Sequence, residues 1–254
     1  MSIATGNEAS DFPGPFSFGR PMTDDRYLIR LALPDRPGGL ALVTRCLANC
    51  GTDILAVAVV GHRNGQAIDD LLVHGGDLER ALNALEPEVS LLGKRRALDL
   101  PDAGIAMAEA FGRTIRASDP GTAREALLAS LLAMVSADAG VLFAAPDRQR
   151  LTPIAAIPGH LPPIAPDEPC IARRALRTGE AVIAPAEGSW APLSYRQAID
   201  ARELAAAPIS AGPGTELVLM LARSDVFPFV DAEVERACAL VTAAGEGLLG
   251  RATA

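Results

Sequence analysis

The sequence predicts an α+β protein made of two modules joined by a hinge region, and three observations support this prediction. The 254 residues are enough for one large domain or two ordinary ones. Strand and helix patterns follow the order βαββαβ over the first hundred residues. After residue 118 the pattern becomes a long helix, five or six strands and a closing helix. We therefore expect the second part to form its own α+β unit around an antiparallel sheet.

The first module begins with a strand over residues 26–33, which the segment PDRPGG breaks. Apolar residues then recur at helical spacing from Leu40 to Leu47, and Gly51 stands where the glycine after a helix belongs. A long apolar strand follows. Asn64-Gly65 then predicts a tight hairpin into the next strand.

A short helix and a last strand complete the first module. Asp77 is expected to cap that helix and Pro87 to end it, and the strand runs from about Val89 to Leu98. The resulting βαββαβ order predicts a split-βαβ unit, the ferredoxin-like arrangement.

The second module starts cleanly at Asp119-Pro120, where an acidic cap precedes a proline in the first helical turn. A short helix ends at Gly179, and a final helix runs from Asp231 to about Gly250. Between the terminal helices lie the strand segments GVLFAA, RLTPIAAI, AVIAPA, AAAPIS and TELVLMLARS. The hinge region before this module has helical character in its middle, and the sequence assigns it to neither module.

Charge and hydropathy exclude two classes of partner. The formal net charge is −8, and the basic residues are dispersed arginines with Lys94 as the only lysine. This balance does not favour phosphate neutralisation, so we expect no nucleic-acid partner. No apolar run reaches the roughly 18 residues that a membrane helix needs, so we expect no membrane partner.

The N-terminal residues 1–24 are rich in Gly, Pro and Ser and are predicted to be a disordered tail. They lack the pattern of a secretory signal, which favours a cytoplasmic location and reduced cysteines. The bias toward alanine and arginine is typical of a GC-rich bacterial genome. The four cysteines, of which Cys46 and Cys50 share a helix face, are expected to act as small apolar residues.

Motifs that carry catalysis or bind cofactors are missing from the sequence. It contains no P-loop, no GxGxxG after a strand, no HExxH and no GxSxG. Asp69 and Asp70 are adjacent on a strand, so they are expected to point to opposite faces. We therefore predict no catalytic residues, no metal and no cofactor, and a binding module rather than an enzyme.

One segment does suggest a binding site. Gly38 and Gly39 lie at a strand-to-helix turn, where unpaired N–H groups at a helix N-terminus favour a carboxylate. Asp35 and Asp53 could accept hydrogen bonds from an ammonium group. The predicted site therefore suits a small zwitterion such as an amino acid. A purely structural interpretation also stays open, in which the glycines set the turn, Asp35 caps the helix and Asp53 satisfies its own loop.

This segment, PDRPGGLALVTRCLANCGTDI, together with the hairpin and the βαββαβ order, resembles the ACT domain family over residues 25–98. The resemblance implies a dimer in which the glycine region lies against the neighbouring subunit's sheet and an amino acid or other small effector binds at the interface. Two carboxylates stand where serine-binding relatives have asparagines. The implied ligand-binding residues are Asp35, Arg36, Pro37, Gly38, Gly39, Leu40, Asp53 and Ile54.

The second module resembles a GAF domain over residues 118–251. The resemblance rests on the first helix, the segment IARRALRTGEAVI, the APIS strand and the closing segment from LVLMLARS onward. It implies a signalling module whose pocket holds a small molecule or nothing. Candidate residues for this second pocket are Cys170, Trp190 and Tyr195, and residues 99–117 become the linker.

We therefore expect a cytoplasmic regulatory homodimer that senses a small effector and acts on an unknown protein partner. Two alternatives stay open. In one, the protein is an interaction scaffold with vestigial sites. In the other, the GAF-like module is a thiol-dependent reductase that uses Cys170 or Cys238.

Overall fold

A computed structural model of the chain describes residues 25–97, 103–146, 149–186, 192–210 and 216–248. The fold is mixed α+β, as predicted, with one antiparallel sheet of four strands and another of five. None of the helices in these ranges is long and apolar enough to cross a membrane.

The first module has the predicted βαββαβ order, and its sheet runs β2-β3-β1-β4. The Asn64-Gly65 hairpin is confirmed, with φ angles of 53° and 75° at its two residues. The side chain of Asp77 caps the second helix by accepting a hydrogen bond from Arg80 N–H. The elements are β1 (Arg26–Pro34), α1 (Gly39–Asn49), β2 (Asp53–Arg63), β3 (Gln66–His74), α2 (Leu78–Asn83) and β4 (Ser90–Arg96).

The two faces of this sheet differ in chemistry. Ile29, Leu31 and Leu33 of β1 pack with Val43 and Leu47 of α1 to form an apolar core. The alternate residues of β1 point to the other face, because side chains alternate along a strand. That other face carries a buried charge on each of the two central strands, Arg30 on β1 and Asp70 on β3.

The second module has a five-stranded sheet in the order β6-β5-β9-β8-β7. The predicted cap at Asp119 is confirmed, because its side chain accepts a hydrogen bond from Thr122 N–H. The elements are α3 (Ala103–Arg116), α4 (Pro120–Val135), β5 (Ala139–Ala144), β6 (Thr152–Ile157), α5 (Ile171–Thr178), β7 (Val182–Pro185), α6 (Leu193–Ala198), β8 (Glu203–Ser210), β9 (Glu216–Arg223) and α7 (Asp231–Leu248).

The structure assigns one predicted helix to a module and contains one helix that the sequence did not predict. The middle of the hinge region forms α3, which packs along α4, and Arg113 of α3 donates a 2.9 Å hydrogen bond to Ser130 of α4. The hinge helix therefore belongs with the second module. The short helix α6 is not among the elements that the sequence predicted. Its six residues pack onto the sheet through Tyr195.

Apolar cores lie on both faces of the five-stranded sheet. Helices α4 and α7 cover one face, with Leu128 and Val241 fully buried, while α5 and α6 cover the other, where Phe143 and Met220 are buried. Both faces of the sheet are thus occupied by the module's own helices.

The loop between β9 and α7, residues 224–230, joins the two modules by covering the charged face of the first sheet. A Cβ placed on Gly93 of β4 would lie 2.5 Å from Val226 O and 2.8 Å from Phe227 Cα, so the loop approaches the strand as closely as a glycine permits. Arg95 of β4 also reaches across, donating a 3.0 Å hydrogen bond to Ser136 O. Its guanidinium lies 4.5 Å from the Phe227 ring centroid, so Arg95 belongs to the boundary between the modules.

Candidate functional site

The β1–α1 turn has the geometry that its glycines require. Gly38 has a φ of 90° and is the N-cap residue of α1, with no side-chain hydrogen bond to the cap. A Cβ on Gly39 would lie 2.3 Å from Pro34 O, so only glycine fits there. Asp35 therefore does not cap α1. The expectation that both glycine N–H groups are unpaired is wrong for Gly39, whose N–H donates to Arg36 O at 3.0 Å because the turn is tight.

Asp35 instead contributes to a polar cluster with His62 and Asp69, which we call the turn cluster. His62 Nε2 lies 3.5 Å from Asp35 Oδ2, and both side chains are largely exposed. Asp69 is buried and interacts electrostatically with both of them. Burial, with the charges of Asp70 and Asp35, raises the pKa of Asp69, while His62 acts in the opposite sense. The cluster combines two carboxylates and an imidazole beside the start of α1.

Asp53 lies at the other end of the sheet from Asp35. Asp53 pairs with His74, and His74 pairs with Arg26 at the start of β1, whereas Asp35 follows the last residue of β1. The nine-residue length of β1 therefore separates the two carboxylates by about 25 Å. A single chain does not bring them together, because β1 and β2 run parallel to each other on either side of β3.

The other predicted residues of this site have ordinary structural surroundings. Arg36 forms an exposed ion pair with Glu88 at 2.5 Å, and Pro37 is exposed. Leu40 and Ile54 are half-buried and pack against the core of the first module. The turn itself and the turn cluster are what remains of the predicted ligand site within one chain.

A buried ion cluster crosses the boundary between the modules. The guanidinium of Arg30 donates to both carboxylate oxygens of Asp70, at 2.7 Å each. It also donates to Glu233 of α7, from Nη1 to Oε2 at 2.9 Å and from Nη2 to Oε1 at 2.8 Å. Arg223 of β9 donates to the same Glu233 Oε1 at 3.0 Å. All four residues are buried, with exposures of 0–5%.

Glu233 has a second role within this cluster. It is the third residue of α7, and its Oε2 accepts the Val230 N–H at 3.0 Å, which is one half of a capping box. Burial alone would raise the pKa of Glu233, but the hydrogen bond from Arg30 and the charges of Arg223 and Arg30 outweigh burial and lower it. An ionised Glu233 thus fixes the first turn of α7 to the sheet of the first module.

Aromatic rings complete the boundary. The Arg30 guanidinium lies 4.3 Å from the centroid of Phe227, and the Arg223 guanidinium lies 4.0 Å from that of Phe229. These cation–π contacts are desolvated, which strengthens them.

A cleft of about 350 Å³ opens between the modules beside these aromatic contacts. It is lined by His62 and Arg63 on one side and by Glu203 and Asp231 on the other.

The second pocket predicted in the GAF-like module is largely filled by two of its own candidate residues. Tyr195 is 1% exposed, packs on Phe143 at a centroid distance of 5.9 Å and donates a 2.7 Å hydrogen bond to Pro162 O. Cys170 is buried at the N-cap of α5, where its Sγ accepts the Arg173 N–H at 3.4 Å. A cavity of only about 90 Å³ remains beside Tyr195. Trp190 lies outside the described residues.

The thiol groups show little sign of activation. Burial raises the pKa of Cys170, and it raises that of Cys238 to about 11. A protonated thiol is a poor nucleophile. In the described part of the chain, no group of three or more His, Cys, Asp or Glu residues is arranged to hold a metal ion.

Sequence reasoning missed the residues of the buried ion cluster. A charged residue in the middle of each apolar strand segment was the available signal: Arg30 within RYLIRLAL and Asp70 within AIDDLLVHG. Such residues are almost never fully buried unless they are paired. The pairing partner, Glu233, lies 203 positions after Arg30, and no local pattern connects the two.

Comparisons with known proteins find similarity in structure only. No protein-family model matches the chain, and no curated protein matches it. The chain is similar to the GAF domain of a phosphoenolpyruvate-protein phosphotransferase from Coxiella burnetii, with 15% identity, a TM-score of 0.46, and coverage of 57% of this chain and 89% of that one.

Two further solved structures give similar values. The GAF domain of the Acinetobacter phosphoenolpyruvate-protein phosphotransferase has 14% identity and a TM-score of 0.47, over 58% of this chain and 92% of that one. The free methionine-R-sulfoxide reductase of Neisseria meningitidis, solved with its substrate, has 13% identity and a TM-score of 0.47, over 60% and 96%. At these identities, function has to be inferred from the residues of this chain.

Proposed function

We propose that this protein is a non-catalytic regulatory protein that binds a small effector, an amino acid, at the β1–α1 turn and transmits the bound state to its second module. The observation that carries this proposal is the buried ion pair between Arg30 and Glu233. It links a strand that leads into the turn with the first turn of the longest helix of the second module.

The mechanism is a shift in population between two arrangements of the modules. A ligand shifts such an equilibrium only by its difference in affinity for the two states. Pro34 ends β1 just before the turn, so a ligand that moves the turn also moves the strand that carries Arg30. Glu233 caps α7, and a displacement of Arg30 therefore reaches the start of that helix directly.

The turn suits an amino acid for electrostatic reasons. The first turn of α1 contains no acidic residue and has no side-chain cap, so the positive end of the helix dipole favours a carboxylate there. The carboxylates of the turn cluster favour an ammonium group nearby. An α-amino acid carries both groups a short distance apart.

We also propose that the protein works as a homodimer through the exposed edge of β2. This strand lies at the edge of its sheet and exposes the apolar side chains of Leu55, Val57 and Val59. A long apolar edge strand is a template for pairing with a second chain. Antiparallel pairing about Val57 would place Asp53 of the partner subunit opposite Gly61 of the first chain, one residue from His62, so Asp53 of one subunit would approach the turn cluster of the other.

The resemblance of the two modules to ACT and GAF domains supports a role in regulation through a protein partner. The raised pKa of Cys170 and of Cys238 argues against the thiol-dependent reductase. The scaffold alternative differs from the proposal in one measurable respect, because a scaffold with vestigial sites is not stabilised by any small molecule.

Thermal unfolding against each of the twenty amino acids at millimolar concentration tests the proposal. A ligand at a hundred times its Kd adds about 2.7 kcal/mol to stability, which raises the Tm by several degrees. We expect one amino acid or a small group of them to do so, and Asp53→Ala to reduce the effect. Asp167→Ala, which changes another exposed carboxylate, should leave it unchanged. A flat panel would support the scaffold instead.

A further inference from the structure

Asp69 is the least compensated buried charge of the first module. It lies on β3 between Leu31 of β1 and Val59 of β2, which are its register partners. Along its own strand the residues on the same face are Ala67 and Leu71. The residue is 4% exposed, and its Oδ1 is buried without a hydrogen-bond partner among the described residues.

Comparison with the neighbouring carboxylate, Asp70, shows that a buried aspartate without a hydrogen-bond partner is unusual in this sheet. Asp70, one residue along the strand, faces the other side of the sheet and receives two 2.7 Å hydrogen bonds from Arg30. A buried carboxylate without such a partner is costly, and an apolar residue would be more stable at that position. A buried polar group that lacks a partner therefore needs an explanation outside the ordinary packing of the chain.

We propose that Asp69 receives the ammonium group of a small organic amine that enters beside the β1–α1 turn. Asp35 and His62 form the exposed rim of this site, and their 3.5 Å contact lies where the rim meets solvent. The inference rests on the proposed function and names the residue that receives the amino group of the effector. It replaces Asp53 by Asp69 as the principal carboxylate within one chain.

The surroundings select the chemical class of the ligand. The turn cluster holds two carboxylates, Asp35 and Asp69, beside a single imidazole, so it attracts a positive group. The described residues include no group of three ligating side chains with metal-site geometry, which favours an organic ammonium over a divalent ion. Leu31 and Val59 flank the carboxylate and suit the aliphatic part of an amine.

Space for the rest of the ligand lies at the start of α1. A Cβ on Gly38 would have no heavy atom within 4 Å, so the turn is open at that residue. The α1 N-terminus beside it has no side-chain cap. An amine bound to Asp69 can therefore extend a carboxylate toward the positive end of this helix, which is the arrangement of an α-amino acid.

The test compares n-butylamine with n-butyrate as probes of the purified full-length protein, with thermal unfolding as the readout. We expect butylamine at tens of millimolar to raise the Tm of the native protein by a few degrees, and butyrate to raise it less. Asp69→Asn should abolish the butylamine effect. This variant should still fold, because it removes a buried charge, and a circular dichroism spectrum with a cooperative melt verifies this.

Three results would overturn the inference. The first is an equal butylamine effect in Asp69→Asn, and the second is no butylamine effect in the native protein. The third is stabilisation by Zn²⁺ or Mn²⁺ after treatment with EDTA, without any effect of the amine. The inference can fail without the proposed function: an amino acid that stabilises native protein and Asp69→Asn equally would leave the sensor in place and remove only the role of Asp69. The proposed function itself fails if no amino acid stabilises the native protein.

Discussion

The guanidinium of Arg30 and the carboxylate of Glu233 form a bidentate ion pair, with N–O distances of 2.9 and 2.8 Å, across the boundary between the two modules. Each partner also has a second task within its own module. Arg30 neutralises Asp70 on the neighbouring strand, and Glu233 caps the first turn of α7. Arg30 and Glu233 therefore fix the geometry of the boundary, because breaking their ion pair would also destabilise contacts within each module.

Arg30→Met should destabilise the protein by about 3–5 kcal/mol, because it leaves Asp70 buried without its cation and removes one of the two arginines that bind Glu233. Urea unfolding measures the change. Arg96→Met is the matched control, since the contact of Arg96 with Asp25 is 3.6 Å long and exposed. That control should cost at most about 1 kcal/mol. Equal losses in the two variants would contradict this interpretation of the cluster.

Gly93→Ala should weaken the contact between the modules. Its new Cβ would lie 2.5 Å from the backbone oxygen of Val226, which cannot rotate away, so the loop before α7 has to shift. We expect a loss of about 1–3 kcal/mol in urea unfolding. Gly61→Ala on β2 is the control, because its Cβ would meet Ala232 Cβ at 3.6 Å and Val230 Cγ2 at 3.9 Å, which are ordinary contacts. A stability of Gly93→Ala equal to that of Gly61→Ala would show that the loop is not tightly held.

Asp69→Asn should raise the stability of the ligand-free protein at neutral pH. Burial and the charges of Asp70 and Asp35 raise the pKa of Asp69, while His62 lowers it. A raised pKa means that ionising Asp69 destabilises the fold, and this cost is absent below the unfolded aspartate pKa of about 3.9. The gain in Asp69→Asn should therefore be about 1 kcal/mol or more at pH 7.5 and should shrink as the pH falls toward 4. A stability gain of Asp69→Asn that grows as the pH falls would contradict a raised pKa for Asp69.

Val57→Lys should convert the proposed dimer into a monomer. It places a charge in the middle of the exposed apolar edge of β2, and a lysine on an edge strand opposes pairing. Light scattering after size-exclusion chromatography measures the mass. Leu193→Lys on α6 changes another exposed apolar residue and should leave the mass unchanged. A native protein that is monomeric at all concentrations would rule out the dimer.

Local sequence patterns predicted most helices and strands of the fold, because helix caps, helix ends and tight turns depend on neighbouring residues. Gly51 follows α1 with a φ of 70°, Asp119 caps α4, and Gly179 ends α5 with a φ of 73°. The Asn64-Gly65 hairpin was predictable for the same reason. Helix α6 was missed because its six residues are held by the packing of Tyr195 rather than by a helical pattern of their own.

The candidate site could be predicted only in part. The turn was visible as PDRPGG, but the separation of Asp35 from Asp53 depends on the register of β2 with β3, which a sequence pattern does not specify. The prediction that Asp69 and Asp70 point to opposite faces of the strand is confirmed. The difference between a compensated Asp70 and an uncompensated Asp69 depends on Arg30 and on contacts that form only in the folded chain.

Differential scanning calorimetry of the native protein, beside a variant that carries Arg30→Met and Glu233→Gln, tests most directly whether the two modules act as one unit. We predict that the native chain unfolds in one transition whose calorimetric and van't Hoff enthalpies agree, and that the double variant unfolds in two. Two separate transitions in the native chain would rule out this coupling, because modules that melt independently could not pass a bound state through Arg30 and Glu233.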